Sequence, residues 1–189
     1  MCGSAVRKLV VMSSNLRGPA VLFGLAGALT LAREVVGLAD PAYYDPVTGL
    51  DYAAAWLTSL AGGVAAVALF VWWRRSPVRR GAWLLVIAAV AFLMSAFGNL
   101  AGDVFDIEVG DTFWTAGIFG FGATILAGAA ALTVNDPYRW SGLFLIGYAA
   151  GWSFPDAGGL WLAGTSLIAM AYWITRASPA TEDSPNPRP

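Results

Sequence analysis

Hydrophobic residues make up 58% of this 189-residue chain and charged residues only 12%, with a mean hydropathy of +0.64, which excludes an ordinary soluble globular domain. The formal net charge is −1, so the chain has no positive surplus with which to bind nucleic acid. Histidine is absent and Cys2 is the single cysteine, which excludes internal disulfides, thiolate zinc sites, His-ligated haem and imidazole bases. We therefore predict an integral membrane protein with no cofactor and no metal.

Six segments are long and apolar enough, or nearly so, to cross a bilayer as helices. A span needs roughly 20 apolar residues, because a helix rises about 1.5 Å per residue and the hydrocarbon core is about 30 Å thick. We predict an all-α polytopic bundle in one domain, 18–176, between an N-terminal segment, 1–17, and a proline-rich tail, 177–189, that is expected to be disordered. The spans are 18–38, 53–73, 82–102, 113–134, 137–154 and 159–176, of which the last two are the shortest.

The charged residues of the flanking segments predict an orientation. Basic residues collect at one end of a six-span bundle, and only Arg33 is an exception; they are Arg7, Lys8, Arg17, Arg74, Arg75, Arg79, Arg80, Arg139, Arg176 and Arg188. Acidic residues collect at the other end: Asp40, Asp45, Asp51, Asp103, Asp106, Glu108, Asp111 and Asp156. Short cytoplasmic loops retain positive charge. Both termini are therefore expected on the cytoplasmic side, and the excess of arginine over lysine, with abundant alanine and glycine, suggests a bacterial inner membrane.

Local signals mark two helix starts and one set of packing contacts. Asp136-Pro137 is typical of an N-cap followed by proline at the first helical position, and Asp111-Thr112 is expected to cap the fourth span similarly. GNLAG, 98–102, and GYAAG, 147–151, have the spacing that lets helix backbones approach closely. We expect these glycines to pack helices within one chain, with a dimerisation face as the alternative.

Two similar segments raise the possibility of an internal repeat. YAAAWLTSLAGG, 52–63, and YAAGWSFPDAGG, 148–159, are related by an offset of 96 residues. Both motifs are expected at the acidic end, whereas an inverted repeat would place one of them at the basic end. The predicted topology therefore argues against a duplication.

Within the first span, the stretch LTLAREVVG places Arg33 next to Glu34. Arg33 lies about 22 Å along the span, near enough to the acidic end for its guanidinium to extend there. Adjacent residues diverge by about 100° around a helix, so we expect each side chain to have a separate partner. For Arg33 the predicted partner is Asp103.

The third span carries a polar stripe in the half nearer the acidic end. Ser95, Asn99, Asp103 and Asp106 recur at spacings that put them on one helix face. With the short turn that contains Asp156, they predict a polar recess that opens at the acidic end. The predicted ligand-binding residues are Arg33, Glu34, Ser95, Asn99, Asp103 and Asp156. The alternative is a structural ion pair that only fixes helix register.

No catalytic or metal motif accompanies this stripe. DVFDIEVGD, 103–111, has four carboxylates but lacks the glycine and ligand spacing of an EF-hand, so a solvated acidic loop is expected. We predict a non-enzymatic protein that binds a small solute or lipid head group, acting as a small transporter or as an accessory subunit of a partner membrane protein. The alternative is an enzyme acting on a lipid-linked substrate, with Asp103 or Asp156 as acid or base and Arg33 holding the head group.

Overall fold

A computed structural model describes residues 3–39, 49–108 and 110–177, with the backbone alone for 3–15, 111, 114 and 156. The described residues are mostly helical, and the connections that the structure describes, from α2 onward, are short turns. The six α-helices are α1 (Gly3–Ala39), α2 (Gly49–Arg75), α3 (Ala82–Asn99), α4 (Gly110–Leu132), α5 (Ser141–Ser153) and α6 (Gly159–Ala177). A π-helix, Leu100–Val104, extends α3, and short 3₁₀ helices, Pro137–Trp140 and Pro155–Ala157, precede and follow α5.

Four of these helices are long and apolar enough to cross a membrane. The four stretches are Leu16–Ala39, Gly49–Arg75, Ala82–Val104 and Thr115–Leu132. The predicted all-α fold is thereby confirmed, and four of its helices could cross a membrane by length and composition. Six crossings and the side on which the termini lie stay predictions. The division into an N-terminal segment, a bundle and a tail also stays a prediction; α1 begins at Gly3, so 3–17 belong to the same helix as the first span, and 178–189 lie outside the described residues.

The helices form a closed ring in chain order. Each helix packs against the next one, and α6 packs against α1 to complete the circle. Side chains meet across the middle: Phe92 of α3 contacts Tyr148 of α5, with ring centroids 5.6 Å apart. We call the end with Arg74, Arg75, Arg79 and Arg80 the basic end, and the end with Asp51, Asp103, Asp106 and Glu108 the acidic end.

Glycines bring neighbouring helices into backbone contact. A Cβ placed on Gly27 of α1 would lie 2.6 Å from the carbonyl oxygen of Gly164 on α6. A Cβ on Gly128 of α4 would lie equally close to the carbonyl oxygen of Gly142 on α5. The two predicted motifs behave in the same way: Gly102 lies against Gly110, and a Cβ on Gly151 would meet Ala163. These contacts within the chain agree with the expected role of the glycines in bundle packing.

The large core side chains concentrate toward the basic end. Phe23 packs edge-on against Trp72, and Trp72 packs against Tyr138. Other fully buried large side chains of this half are Leu69, Leu145, Leu167, Met170 and Ile174. The inward faces of the acidic half carry mostly alanine and polar residues, with Leu160 as the large exception. The basic half of the ring is therefore densely filled by large side chains, and the acidic half is lined by small and polar groups.

One capping prediction is confirmed and the other is wrong. Asp136 Oδ1 accepts a hydrogen bond from the backbone N–H of Tyr138 at 2.7 Å, with Pro137 as the first helical residue. Helix α4, however, begins at Gly110, which places Asp111 and Thr112 inside its first turn. The backbone N–H of Gly110 donates to the carbonyl of Ile107 at 2.8 Å, and the absence of a side chain lets this first residue pack on Gly102.

The two repeat-like segments occupy different environments. Tyr52–Trp56 lies in the first turns of α2, which runs away from the acidic end. Tyr148–Trp152 lies in the last turns of α5, which runs toward it. Tyr52 is exposed and Tyr148 is buried. The fold therefore gives a duplication no support.

A candidate ligand-binding recess

The acidic half of α1 turns polar groups into the ring. Thr30 is 1% exposed, and Arg33 and Glu34 are each 6% exposed. These residues follow Phe23 and Ala26 at helical spacing, so they continue the face of α1 that packs in the core. Charged side chains are almost never this buried without a partner. This part of α1 therefore stands out because it buries a guanidinium and a carboxylate inside the ring.

Arg33 and Glu34 lie close enough to form an ion pair, contrary to the sequence-based expectation that they diverge. Arg33 Nη1 is 3.6 Å from Glu34 Oε2. The long arginine side chain runs along α1 toward the acidic end, and its Nη1 lies 3.5 Å from where a Cβ on Gly37 would stand. This path allows the guanidinium of Arg33 to approach the carboxylate of Glu34, although the two side chains leave the helix about a quarter turn apart. The pairing of Arg33 with Asp103 stays a prediction.

Helices α2 and α3 add further buried polar groups on their inward faces. Asp51 is 3% exposed and lies on the face of α2 that carries Leu69. Asn99 of α3 is 6% exposed and lies two turns beyond Phe92, whose ring points across the core. We define the recess by the buried polar residues of these three helices: Thr30, Arg33, Glu34, Asp51 and Asn99.

Asp51 was not predicted as a member of the site. It was expected in a loop because the second span was predicted to begin at residue 53, whereas α2 begins at Gly49. A carboxylate in the first turn is favourable for a helix N-terminus, so Asp51 continues the helix rather than ending it. The signal that could have found it is its spacing of three and four residues from Ala54 and Ala55, which are buried on the same face.

The turn between α5 and α6 lies deeper in the ring than the acidic ends of the other helices. Because Gly27 contacts Gly164, Arg33, six residues further along α1, is level with Gly158 in that turn. Because Gly128 contacts Gly142, the last residue of α5, Ser153, is level with Gly117 of α4. Helix α4 continues for seven more residues, about 10 Å, to its start at Gly110. The other four helices thus extend further toward the acidic end than α5 and α6 do. We call the shorter side, formed by the turn between α5 and α6, the low rim.

The π-helix breaks the predicted stripe on α3. Ser95 turns toward α4, where its Oγ lies 2.8 Å from a Cβ placed on Gly117. Asp103 lies within the π-helix and is exposed, as is Asp106, whose φ of 53° falls in the left-handed region. The wider turn of a π-helix rotates the residues beyond Asn99 away from the α-helical face. Of the four stripe residues, only Asn99 points into the recess.

The remaining predicted residue, Asp156, lies in the 3₁₀ turn after α5, at the low rim. Its side chain lies outside the described residues. Of the predicted site residues, Arg33, Glu34 and Asn99 are buried, Ser95 lies against Gly117, and Asp103 is exposed. Their grouping in one site stays a prediction. Among the described residues, no three His, Cys, Asp or Glu side chains lie together as a metal site would require.

The recess has the chemistry of a binding site for a small polar group. In a region of low dielectric constant, a guanidinium, carboxylates and a carboxamide interact with a ligand more strongly than they would in water. Arg33 supplies donors only, Glu34 and Asp51 supply acceptors, and Asn99 supplies both. Comparison of the chain with family models, with characterised proteins and with solved structures finds no match, so the site is interpreted from its own residues.

Proposed function

We propose that this chain is a non-enzymatic integral membrane protein that binds a small solute or a lipid head group in the recess. It would act as a small transporter or as a ligand-binding accessory subunit of a membrane complex. The single observation that carries the proposal is the burial of Arg33, Glu34, Asp51 and Asn99 in the half of the ring that large side chains do not fill.

The position of the recess supports binding over a purely structural role. An ion pair that only fixed helix register could lie at any depth between two helices. Here the buried polar groups come from three successive helices and share the half that is bounded by the low α5–α6 rim. A polar molecule that entered from the acidic end would therefore not have to displace the aromatic core.

We expect substitution of Asn99 to remove a bound molecule while leaving the protein folded. Native mass spectrometry of the protein, extracted gently from its own membrane, should show a small-molecule adduct on the wild type that is absent or much reduced in Asn99→Leu. The substitution keeps the side-chain volume and removes the amide that would contact the ligand. One lost hydrogen bond corresponds to a roughly fivefold to tenfold loss of affinity.

The matched control is Thr124→Val, because Thr124 is fully buried outside the recess and donates to the carbonyl of Gly120 at 2.7 Å. The control should keep the adduct. Equal adduct occupancy in wild type and Asn99→Leu would contradict binding in the recess. A stoichiometric protein partner in place of a small molecule would favour the accessory role.

We further propose that all six helices cross a bacterial inner membrane, with the basic end and both termini in the cytoplasm. The described arginines other than Arg33 lie at one end, and Arg74, Arg139 and Arg176 each stack on an aromatic ring there, as is typical of a membrane interface. In a Cys2→Ser background, a membrane-impermeant maleimide applied to intact spheroplasts should label Glu108→Cys and not Arg80→Cys. The reverse pattern would contradict this orientation.

A further inference from the structure

The corner of the bundle where α2 ends and the loop to α3 begins carries more arginine than any other part of the chain. The sequence RRSPVRR has four arginines in seven residues. Arg74, Arg79 and Arg80 are exposed and form no ion pair within the described part of the chain. Arg75 turns away toward α1, where its Nη1 lies 2.8 Å from a Cβ placed on Gly18. The described residues therefore leave the charge of this corner without a counter-charge.

The fold holds two of these guanidinium groups beside one residue, Trp73. Arg74 lies over the indole of Trp73, with its guanidinium carbon 5.8 Å from the ring centroid. Arg79 folds back from the loop, and its Nη1 donates to the backbone carbonyl of Trp73 at 3.2 Å. This carbonyl needs a side-chain donor, because the residue four positions later is Pro77, which has no N–H. Each guanidinium has five N–H donors, so both can still donate to an added oxyanion.

An apolar stripe leads from this corner along the outer face of α2. Three residues precede Arg74 on that face at helical spacing: Phe70, Val67 and Gly63. Phe70 is 43% exposed and Val67 is 48% exposed, and a Cβ on Gly63 would meet nothing within 4 Å. Gly63 also lines a groove of about 490 Å³ between α2 and α3. The stripe therefore joins the arginines to an open apolar groove.

The length of the stripe matches one leaflet of a bilayer. Gly63 precedes Arg74 by eleven residues, which correspond to about 16 Å of helix. Half of a hydrocarbon core about 30 Å thick is close to this length. An acyl chain whose head group lies at Arg74 would therefore follow the stripe and end at the groove.

Charge and apolar surface together select the class of ligand. Clusters of arginine next to a membrane-spanning helix attract anionic lipids, and exposed indoles such as Trp83, at the start of α3, mark the level of the head groups. A free phosphate would leave the stripe uncovered. A zwitterionic phospholipid would bring another positive charge to the three arginines. A phospholipid with a net negative charge fits both the arginines and the stripe.

We propose that the corner between α2 and α3 binds an anionic phospholipid. Its phosphate accepts hydrogen bonds from Arg74 and Arg79, and one acyl chain follows Phe70 and Val67 to the groove at Gly63. The site lies at the basic end, opposite the recess. The inference rests on the proposed placement of the basic end at a membrane surface and is independent of the ligand in the recess.

The test uses the full-length protein in nanodiscs that contain equal amounts of phosphatidylglycerol and phosphatidylcholine with the same acyl chains. Native mass spectrometry counts the molecules of each lipid that stay on the protein when the nanodisc is disrupted. The wild type should retain phosphatidylglycerol in preference to phosphatidylcholine. The double variant Arg74→Gln, Arg79→Gln should lower the ratio of the two retained lipids by roughly fivefold or more, because each arginine near a membrane surface adds a several-fold attraction for an anionic lipid.

The matched control is the double variant Arg139→Gln, Arg176→Gln. These arginines also lie over aromatic rings at the basic end, 4.9 Å from the ring centroid of Trp140 and 5.2 Å from that of Tyr172. They lie before α5 and in the last turn of α6, away from the proposed site. The control removes the same net charge and should keep the wild-type ratio. It therefore separates a defined site from the general attraction of a basic surface.

Gly63→Leu tests the path of the acyl chain. It should fill the groove and lower the retention of phosphatidylglycerol severalfold, and it should fold, because the space beside Gly63 is open. Unchanged retention in this variant would overturn the acyl path and reduce the site to a head-group contact.

Equal ratios in the wild type and in Arg74→Gln, Arg79→Gln would overturn the proposal, and an equal fall in both double variants would assign the preference to overall charge. Displacement of the lipid by inorganic phosphate, but not by sodium chloride of equal ionic strength, would assign the corner to a soluble anion. A preference that appears only in Glu182→Gln, Asp183→Gln would show that the carboxylates of the tail occupy the corner instead. The recess proposal is tested separately, by the adduct that Asn99→Leu removes, and the orientation by maleimide labelling.

Discussion

Replacing Arg33 with leucine is expected to leave little folded protein, whereas replacing Arg33 and Glu34 together with leucine is expected to give more folded protein than the single replacement. Removing one partner of a buried ion pair costs about 3 to 5 kcal/mol, because the remaining charge stays buried without compensation. That is a large share of the roughly 5 to 15 kcal/mol by which proteins are stable. Removing both charges leaves apolar side chains at buried positions of an apolar helix.

The measurement is the monodisperse fraction in size-exclusion chromatography together with the thermal midpoint. Arg74→Leu is the control, since Arg74 is exposed and contacts the Trp73 ring at 5.8 Å; it should change the free energy of unfolding by about 1 kcal/mol or less. If Arg33→Leu alone is as stable as the wild type, the pair contributes nothing to folding.

The double variant also separates the two interpretations of the pair. If the folded double variant still carries the native adduct, Arg33 and Glu34 serve structure alone. If it folds and loses the adduct, they serve the ligand.

A single methyl group at Gly27 is expected to open the ring. A Cβ there would lie 2.6 Å from the carbonyl oxygen of Gly164 and 2.8 Å from a side-chain carbon of Ile168, so α1 and α6 would have to separate. Overpacking of this kind costs about 1 to 3 kcal/mol or more. Because this contact joins the first helix to the last, Gly27→Ala should weaken the closure of the bundle as a whole.

Gly63→Ala is the matched comparison and should raise the stability of the protein slightly, whereas Gly27→Ala should lower it. A Cβ on Gly63 would meet nothing within 4 Å, and alanine favours a helix over glycine by up to about 1 kcal/mol. Thermal midpoints and unfolding in a denaturing detergent should therefore rank Gly63→Ala at or above the wild type and Gly27→Ala well below it. Equal midpoints for the two variants would contradict tight packing of α1 on α6.

The apolar segments located the helices well because their length and composition alone determine where a helix can cross a bilayer. Helix α6 begins at the predicted Gly159, and α3 begins at the predicted Ala82. The shift at the start of α2, from the predicted residue 53 to Gly49, had a functional consequence because it left Asp51 outside the predicted site. A hydropathy pattern assigns a charged residue at the edge of an apolar segment to a loop. A carboxylate is nevertheless favourable in the first turn of a helix.

The site was harder to predict because it depends on side-chain direction. The burial of Arg33 and Asn99 in one half of the ring agrees with the predicted recess. In the stripe from Ser95 to Asp106, Ser95 packs on α4, and Asp103 and Asp106 are exposed because helical periodicity assumes 3.6 residues per turn and the π-helix after Asn99 departs from it. The ion pair between Arg33 and Glu34 was missed because spacing arguments treat side chains as points and not as long chains that can bend along the helix axis.

The short α5 has a consequence for the lipids around the protein if it crosses the membrane as proposed. With 13 residues, it spans about 20 Å, well under the thickness of a hydrocarbon core, while α2 on the opposite side of the ring has 27 residues. The bilayer must then thin beside the α5–α6 turn, or water and head groups must descend toward Ser153, at a cost of a fraction of a kcal/mol per Å of mismatch. The bilayer would thus be thinned locally on the side of the protein where α5 and α6 lie. A thinner bilayer, or a neighbouring protein with equally short helices, would reduce this mismatch.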